Sequence, residues 1–220
     1  MLARVFSSAV VGLEGVVIEV EVDYTNGLPG MTIVGLPDTA VQESRERVQT
    51  AVKNAGLHFP RHRIVVNLSP ASIRKEGPAY DLPIALGVIM LSGHLPSDAV
   101  DNTLVIGELS LDGVVRHTRG LLPMAATARA NGYKRMFVSE ADAPEAALIP
   151  GLEVYPVRTL ADLYKQLSGR QLIQPYQPSS SDELEPLFIP TNFSEIKGQE
   201  HVKRALEVSA AGGHNVLMVG

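Results

Sequence analysis

Cysteine is missing from the sequence, which rules out disulfide frameworks, thiolate nucleophiles and cysteine-ligated zinc. Long apolar runs are missing too. Stretches such as Leu82 to Leu91 fall well short of the roughly 20 residues that cross a bilayer. Met1-Leu2-Ala3-Arg4 leads into an alternating strand pattern and not into a signal-peptide hydrophobic stretch, so a cytoplasmic protein with no membrane partner is expected. Positive charge is also scarce. Lys and Arg number 19 against 24 Asp and Glu, a net charge of −5, which argues against attachment to nucleic acid through bulk charge. Arg61, Arg63, Arg74 and Lys75 come nearest to a local basic patch, with solvated loop charges as the plainer account.

What is present is ordinary for a globular chain. Apolar residues make up 45% and charged residues 20% of 220 positions, enough for one full domain of about 150 residues and a remainder. Val16 to Tyr24 alternates apolar and acidic residues, as a half-buried strand does. Met31 to Val34 reads as a second strand. Asp38 or Thr39 then caps a helix with Val41, Val48, Ala51 and Val52 inward and a Glu43–Arg47 pair outward. Ile64 to Leu68 reads as a buried strand, and Asp81 opens an apolar helix with Pro83 in its first turn. Thr103 to Leu109 and Val114 to Arg116 read as a hairpin across Asp112-Gly113. Beyond it come a helix over 121–131, a strand over 135–138, a short helix near 141–147 and a strand over 153–157. Thr159-x-x-Asp162 opens a last helix that Gly169 closes.

This order makes the first domain, residues 1–168, a mixed α/β (α+β) unit. Residues 169–191, with QLIQPYQPSSSDELEPLFIP inside them, are a Pro/Ser-rich linker, extended or mobile. Residues 192–220 begin a second domain. There Gln199 to Ala211 fits a helix with Val202, Ala205, Leu206 and Val208 inward, and Val216 to Val219 a buried strand ending at Gly220. A strand that ends in glycine can open a phosphate-binding loop, although glycine is also an ordinary loop opener.

Phe193-Ser194-Glu195-Ile196 followed by Gly198-Gln199-Glu200 resembles the segment that lies against the adenine in AAA+ ATPases. AAGGHNVLMVG, residues 210 to 220, is similar to the approach to the Walker A loop in the magnesium-chelatase-like branch. Together with GLPGMTIVGLPD (27 to 38) and RKEGPAYDLPIA (74 to 85), these motifs make the whole chain resemble the N-terminal part of the ComM/YifB family of bacterial AAA+ ATPases. The resemblance implies a ribosomal S5 domain 2-like, Lon-protease-like fold for the first domain. A truncated AAA+ P-loop domain, cut off inside the Walker A loop, would follow.

Lon-type peptidases attack with a serine after a Gly-Pro turn, and a lysine acts as its base. In this sequence Ala79 follows Gly77-Pro78, and counting from Gly107-Glu108 through Gly120-Leu121 places Leu122 at the lysine position. Neither side chain can attack or carry a proton, so the resemblance implies no catalytic residue. The former cleft would be rimmed by Arg74, Lys75, Glu76, Asp81, Glu108, His117 and Arg119, unless Asp81 merely caps its helix and the others are solvated. His58 and His62 share a helical spacing that Pro60 breaks, and no metal site is expected.

For the intact protein the family implies a hexameric, ATP-driven branch-migration helicase of recombination or natural transformation, acting on branched or single-stranded DNA. ATP and Mg2+ would be its cofactors, with Ile196, Gly198, Gln199 and Gly220 giving part of the ATP site. These 220 residues alone would bind no cofactor and would act as a regulatory or assembly module. The alternatives are a magnesium-chelatase-type ATPase that inserts metal into a tetrapyrrole and, disfavoured by Ala79 and Leu122, a Ser-Lys peptidase.

Overall fold

The computed structural model describes residues 2–177 and 192–219. Contacts divide the chain into two units, Met1–Pro178 and Ser179–Gly220. The linker expected at 169–191 falls largely on residues 178–191, outside the described residues. Among the described residues no helix is long and apolar enough to cross a membrane.

The first unit opens with a hairpin of β1 (Ala3–Val11) and β2 (Glu14–Thr25), followed by β3 (Gly30–Val34), α1 (Thr39–Asn54) and β4 (Arg63–Ser69). A 3-10 turn (Pro78–Tyr80) runs directly into α2 (Asp81–Leu91). Next come β5 (Thr103–Val105), β6 (Glu108–Leu109), β7 (Val115–Arg116) and α3 (Leu121–Ala130). The unit ends with β8 (Arg135–Ser139), α4 (Ala143–Ala146), β9 (Glu153–Val157) and α5 (Leu160–Leu167). Seven strands form one sheet in the order β3-β4-β2-β1-β5-β8-β9. Only the β1–β2 and β2–β4 pairs are antiparallel; the other four are parallel. The architecture is therefore mixed α/β with a mostly parallel sheet.

Alternation along β1 explains the layering. Ala3, Val5 and Ala9 join a core with α1, α2 and α5, whereas Phe6 packs into a second core with α3 and α4. Helices thus cover both faces, the arrangement that parallel strands require because both of their sides must be buried. Every residue of α2 is buried, and each of its Leu and Ile side chains stabilises the fold by about 1.5–3 kcal/mol. Gly87 lets this helix approach β2, since a Cβ there would lie 2.4 Å from Val22 Cγ2.

Three local expectations need correction. The strand expected over 103–109 stops at Val105. Gly107 N donates to Ala79 O and Gly107 O accepts from Leu82 N, both at 3.0 Å, so its backbone is occupied outside the sheet, and β6 and β7 form a separate pair. In the second unit α6 (Glu200–Gly212) forms as expected, but no residue of it is buried and Val208 is 53% exposed. Val216 to Val219 is neither a strand nor buried. A strand needs a neighbour to receive its backbone hydrogen bonds, and the described residues of this unit hold none.

Candidate functional site

The Gly77-Pro78-Ala79 turn is fixed from three directions. Gly77 adopts φ 77°, a left-handed conformation that glycine takes without steric cost. Asp38 caps α1 through Oδ1, which accepts from Val41 N at 2.8 Å, while its Oδ2 accepts from Gly77 N at 3.1 Å. One carboxylate thereby ties the helix start to the turn. On the far side the turn docks on Gly107, where a Cβ would fall 2.6 Å from Val115 Cγ1 and 3.2 Å from Leu82 Cδ2.

Behind the turn lies a charged anchor. Asp81 is fully buried, and its carboxylate accepts from Arg47 Nε at 2.6 Å, Arg47 Nη2 at 3.1 Å and Leu109 N at 3.1 Å. Arg47 also donates to Ala40 O at 2.8 Å and Ser44 Oγ at 3.2 Å. Burial raises the Asp81 carboxyl against the opposing pull of Arg47, and the bond to Asp81 raises the Arg47 guanidinium. The expected Arg47–Glu43 pair exists at 3.7 Å but is the looser of the two. Lys75 is buried as well. Its ammonium donates to Pro70 O, and desolvation lowers it from the ordinary lysine value.

In front of the turn opens a cleft of about 690 Å³. Of the sequence-predicted rim, the structure brings Arg74, Glu76, Glu108, His117 and Arg119 together there, with Ala79 and Tyr80 in the same lining. Lys75 and Asp81 do not line it; they are turned into the protein and serve as anchors. Leu122 does not line it either, and Met124 does. Leu122 is 40% exposed, and its backbone N donates to Glu145 Oε1 at 2.9 Å. Burial first, then Asp38 and Glu76, push the Tyr80 hydroxyl far above the usual tyrosine range, so it remains a neutral donor.

Behind His117 lie buried residues that the sequence reading passed over, Ser139 and Asp142. His117 Nδ1 shares a hydrogen bond with Asp142 Oδ1. Asp142 is buried, and its Oδ2 accepts from Thr118 N at 3.0 Å and from Ser139 Oγ at 2.7 Å. Ser139 Oγ in turn accepts from Asp142 N at 3.2 Å. Ser139-x-x-Asp142 was visible in the sequence as a capping-type spacing, but nothing local tied it to His117. Thr118 Oγ1, beside His117 in the cleft lining, is buried and has no hydrogen-bond partner among the described residues. The cleft therefore offers an oriented imidazole and hydrogen-bonding groups, with the Ala79 methyl in the same lining. It can hold a ligand, but Ala79 supplies no nucleophile.

The other predicted residues lie elsewhere. His58 lines a second groove beside α1, and the His62 ring packs on Tyr24 with centroids 4.8 Å apart. Among the described residues no three His, Asp or Glu side chains gather as a metal site. In the second unit, Gly198 (φ 73°) and Gln199 (φ 61°) form a left-handed bend just before α6. Ile196, 42% exposed, precedes it, and the space where a Gly198 Cβ would sit is open. Gly220 lies outside the described residues.

Residues 20–142 match the family described as "Subunit ChlI of Mg-chelatase", and residues 192–220 match "Magnesium chelatase, subunit ChlI". Competence protein ComM of Haemophilus influenzae is 36% identical over 222 residues, an alignment covering 100% of this chain and 43% of ComM. The uncharacterised protein YifB of Escherichia coli is 37% identical over 219 residues, covering 100% of this chain and 42% of YifB. Lon protease 2 of Bacillus subtilis is 28% identical over 127 residues, 56% of this chain and 22% of the protease. The chain thus spans less than half the length of its ComM and YifB relatives.

Proposed function

We propose, from the premise that the chain belongs to the magnesium-chelatase ChlI-like family that includes ComM and YifB, that it is the N-terminal part of an AAA+ ATPase acting on DNA. Residues 1–168 form a Lon-protease-like domain of the ribosomal S5 domain 2-like kind that has no chemistry of its own and regulates or assembles the motor. Residues 169–191 link it to the start of the ATPase domain at 192–220. The whole protein is a hexameric helicase that moves DNA branch points during recombination or uptake of DNA.

One observation carries the non-catalytic part of this reading. The turn of the cleft is braced by Asp38, Gly107 and Asp81, yet it presents Ala79 where a hydroxyl would attack. The partial likeness to Lon protease 2 supports an inherited scaffold. In the second unit Ile196, Gly198 and Gln199 would flank the adenine of ATP, with Gly220 opening the phosphate loop. Mg-ATP, when bound, would supply the free energy of phosphoanhydride cleavage, and the residues named here would only bind and orient it.

ATP hydrolysis by the intact protein is the test. Stimulation by a four-way DNA junction, and not by protoporphyrin with Mg2+, is the expected result. Stimulation by protoporphyrin alone would replace this reading with metal insertion into a tetrapyrrole.

A further inference from the structure

Helix α1 carries Arg45, Gln49 and Lys53 at successive four-residue steps, a stripe along one face about 12 Å long. The loop that follows the helix turns back beside this stripe. Between them runs a groove of about 580 Å³, whose charged lining is Arg45, Lys53, Arg61 and one carboxylate, Glu46, with His58 and Phe59 beside them. All three cations are exposed. Among the described residues no carboxylate is in ion-pair contact with any of them. Other cations of the unit, Arg116, Arg129 and Arg158 among them, also have no carboxylate in ion-pair contact among the described residues; what distinguishes this groove is that three such cations line one concavity with a single carboxylate.

From this we infer that the groove between α1 and the 57–61 loop binds the phosphodiester backbone of a single DNA strand. A chain with net charge −5 has carboxylates to spare, and three cations gathered around one of them repel one another unless an anion joins them. A polyanion that lays successive phosphates along the groove removes that repulsion and releases its own counterions. Backbone contact of this kind carries no sequence information. A basic groove with an aromatic side chain beside it is the arrangement that tracks a single strand, backbone on the cations and base on the ring. The partly exposed ring of Phe59 gives a base a face on which to stack. The inference rests on the DNA-motor reading only for the choice of polyanion.

The test is fluorescence anisotropy of a labelled oligothymidylate of about 20 nucleotides with the 220-residue chain, between about 50 and 200 mM salt. Three phosphate contacts give a slope of log affinity against log salt near −2, at about −0.7 per contact. The triple variant Arg45→Glu, Lys53→Glu, Arg61→Glu is expected to bind at least about 30-fold more weakly. Arg158→Glu, an exposed charge outside this groove, should stay within about twofold of the parent. Should the triple variant unfold by circular dichroism, the single variants Arg45→Gln, Lys53→Gln and Arg61→Gln decide instead, each expected to flatten the slope by about 0.7.

Absence of binding at the lowest salt overturns the inference. So does equal binding by folded variant and parent, or competition by a polyglutamate peptide as effective as that by an oligothymidylate of equal charge, which would make the site one for acidic peptides. Failure of the motor reading looks different: the chain binds the oligonucleotide through these residues, while the intact protein shows no DNA-stimulated ATP hydrolysis.

Discussion

The two grooves of the α/β unit differ in charge balance: Arg74 and Arg119 face Glu76 and Glu108 in the Ala79 cleft, whereas Arg45, Lys53 and Arg61 face Glu46 alone in the groove beside α1. Around the Ala79 cleft, Arg74 pairs with Glu76 and His117 with Asp142, and the carboxylates behind the turn are held by Arg47 and by backbone N–H groups. Beside α1, Arg45, Lys53 and Arg61 have no carboxylate in ion-pair contact among the described residues. The first groove keeps an elaborate backbone geometry around a position without chemistry. The second has plain geometry and charge available for a partner. On the reading proposed above, the cleft would be inherited architecture, and the basic groove is where a ligand is expected.

Five experiments separate the two. The largest effect is expected from Asp81→Ala, which leaves the Arg47 guanidinium, only 20% exposed, without its carboxylate and should cost about 3–5 kcal/mol in urea unfolding. Replacing both partners, Arg47→Met with Asp81→Leu, should restore most of that loss. Equal loss in the single and double variants would mean that the pair does not brace the turn. Gly107→Ala comes next. Its new methyl meets Val115 and Leu82, and about 1–3 kcal/mol of destabilisation is expected, with no change in oligonucleotide affinity per folded molecule.

Smaller effects sharpen the contrast further. Glu46→Gln removes the one carboxylate lining the basic groove and should raise oligothymidylate affinity about twofold; weaker binding would contradict the polyanion assignment. Ala79→Ser should alter stability by less than about 1 kcal/mol and release no fluorophore from a quenched peptide substrate, because a serine needs an activating base. Cleavage that disappears again on His117→Gln would instead reveal His117 as such a base. Lys75 adds a pH test. Desolvation lowers it in the folded chain, so just below the ordinary lysine value of 10.5 the unfolded chain holds more protons and stability rises with pH. Lys75→Met should flatten that rise.

Features set by neighbours in sequence were legible without a structure. The Asp38 cap, the alternation of β2 and the Thr159–Asp162 box, where Asp162 N donates to Thr159 Oγ1 at 3.1 Å, all depend on short-range chemistry. Contacts across long separations were not legible. Arg47 reads as the partner of Glu43 because four residues separate them, but its closer partner lies 34 residues away in a buried position. Lys75 and Asp81 read as rim residues for the same reason: charge suggests exposure, and only the packed turn reveals them as anchors. The basic groove needed tertiary structure too, since Arg61 joins Arg45 and Lys53 only after the loop folds back on α1.

The most direct measurement compares the intact protein with and without residues 1–168 for ATP hydrolysis and for ATP-driven movement of a DNA branch point, at matched protein and salt concentrations. A non-catalytic module that serves the motor predicts that hydrolysis persists while branch movement falls at least about tenfold, a change of about 1.4 kcal/mol or more in the coupled step. Branch movement as fast without the domain as with it would contradict the account.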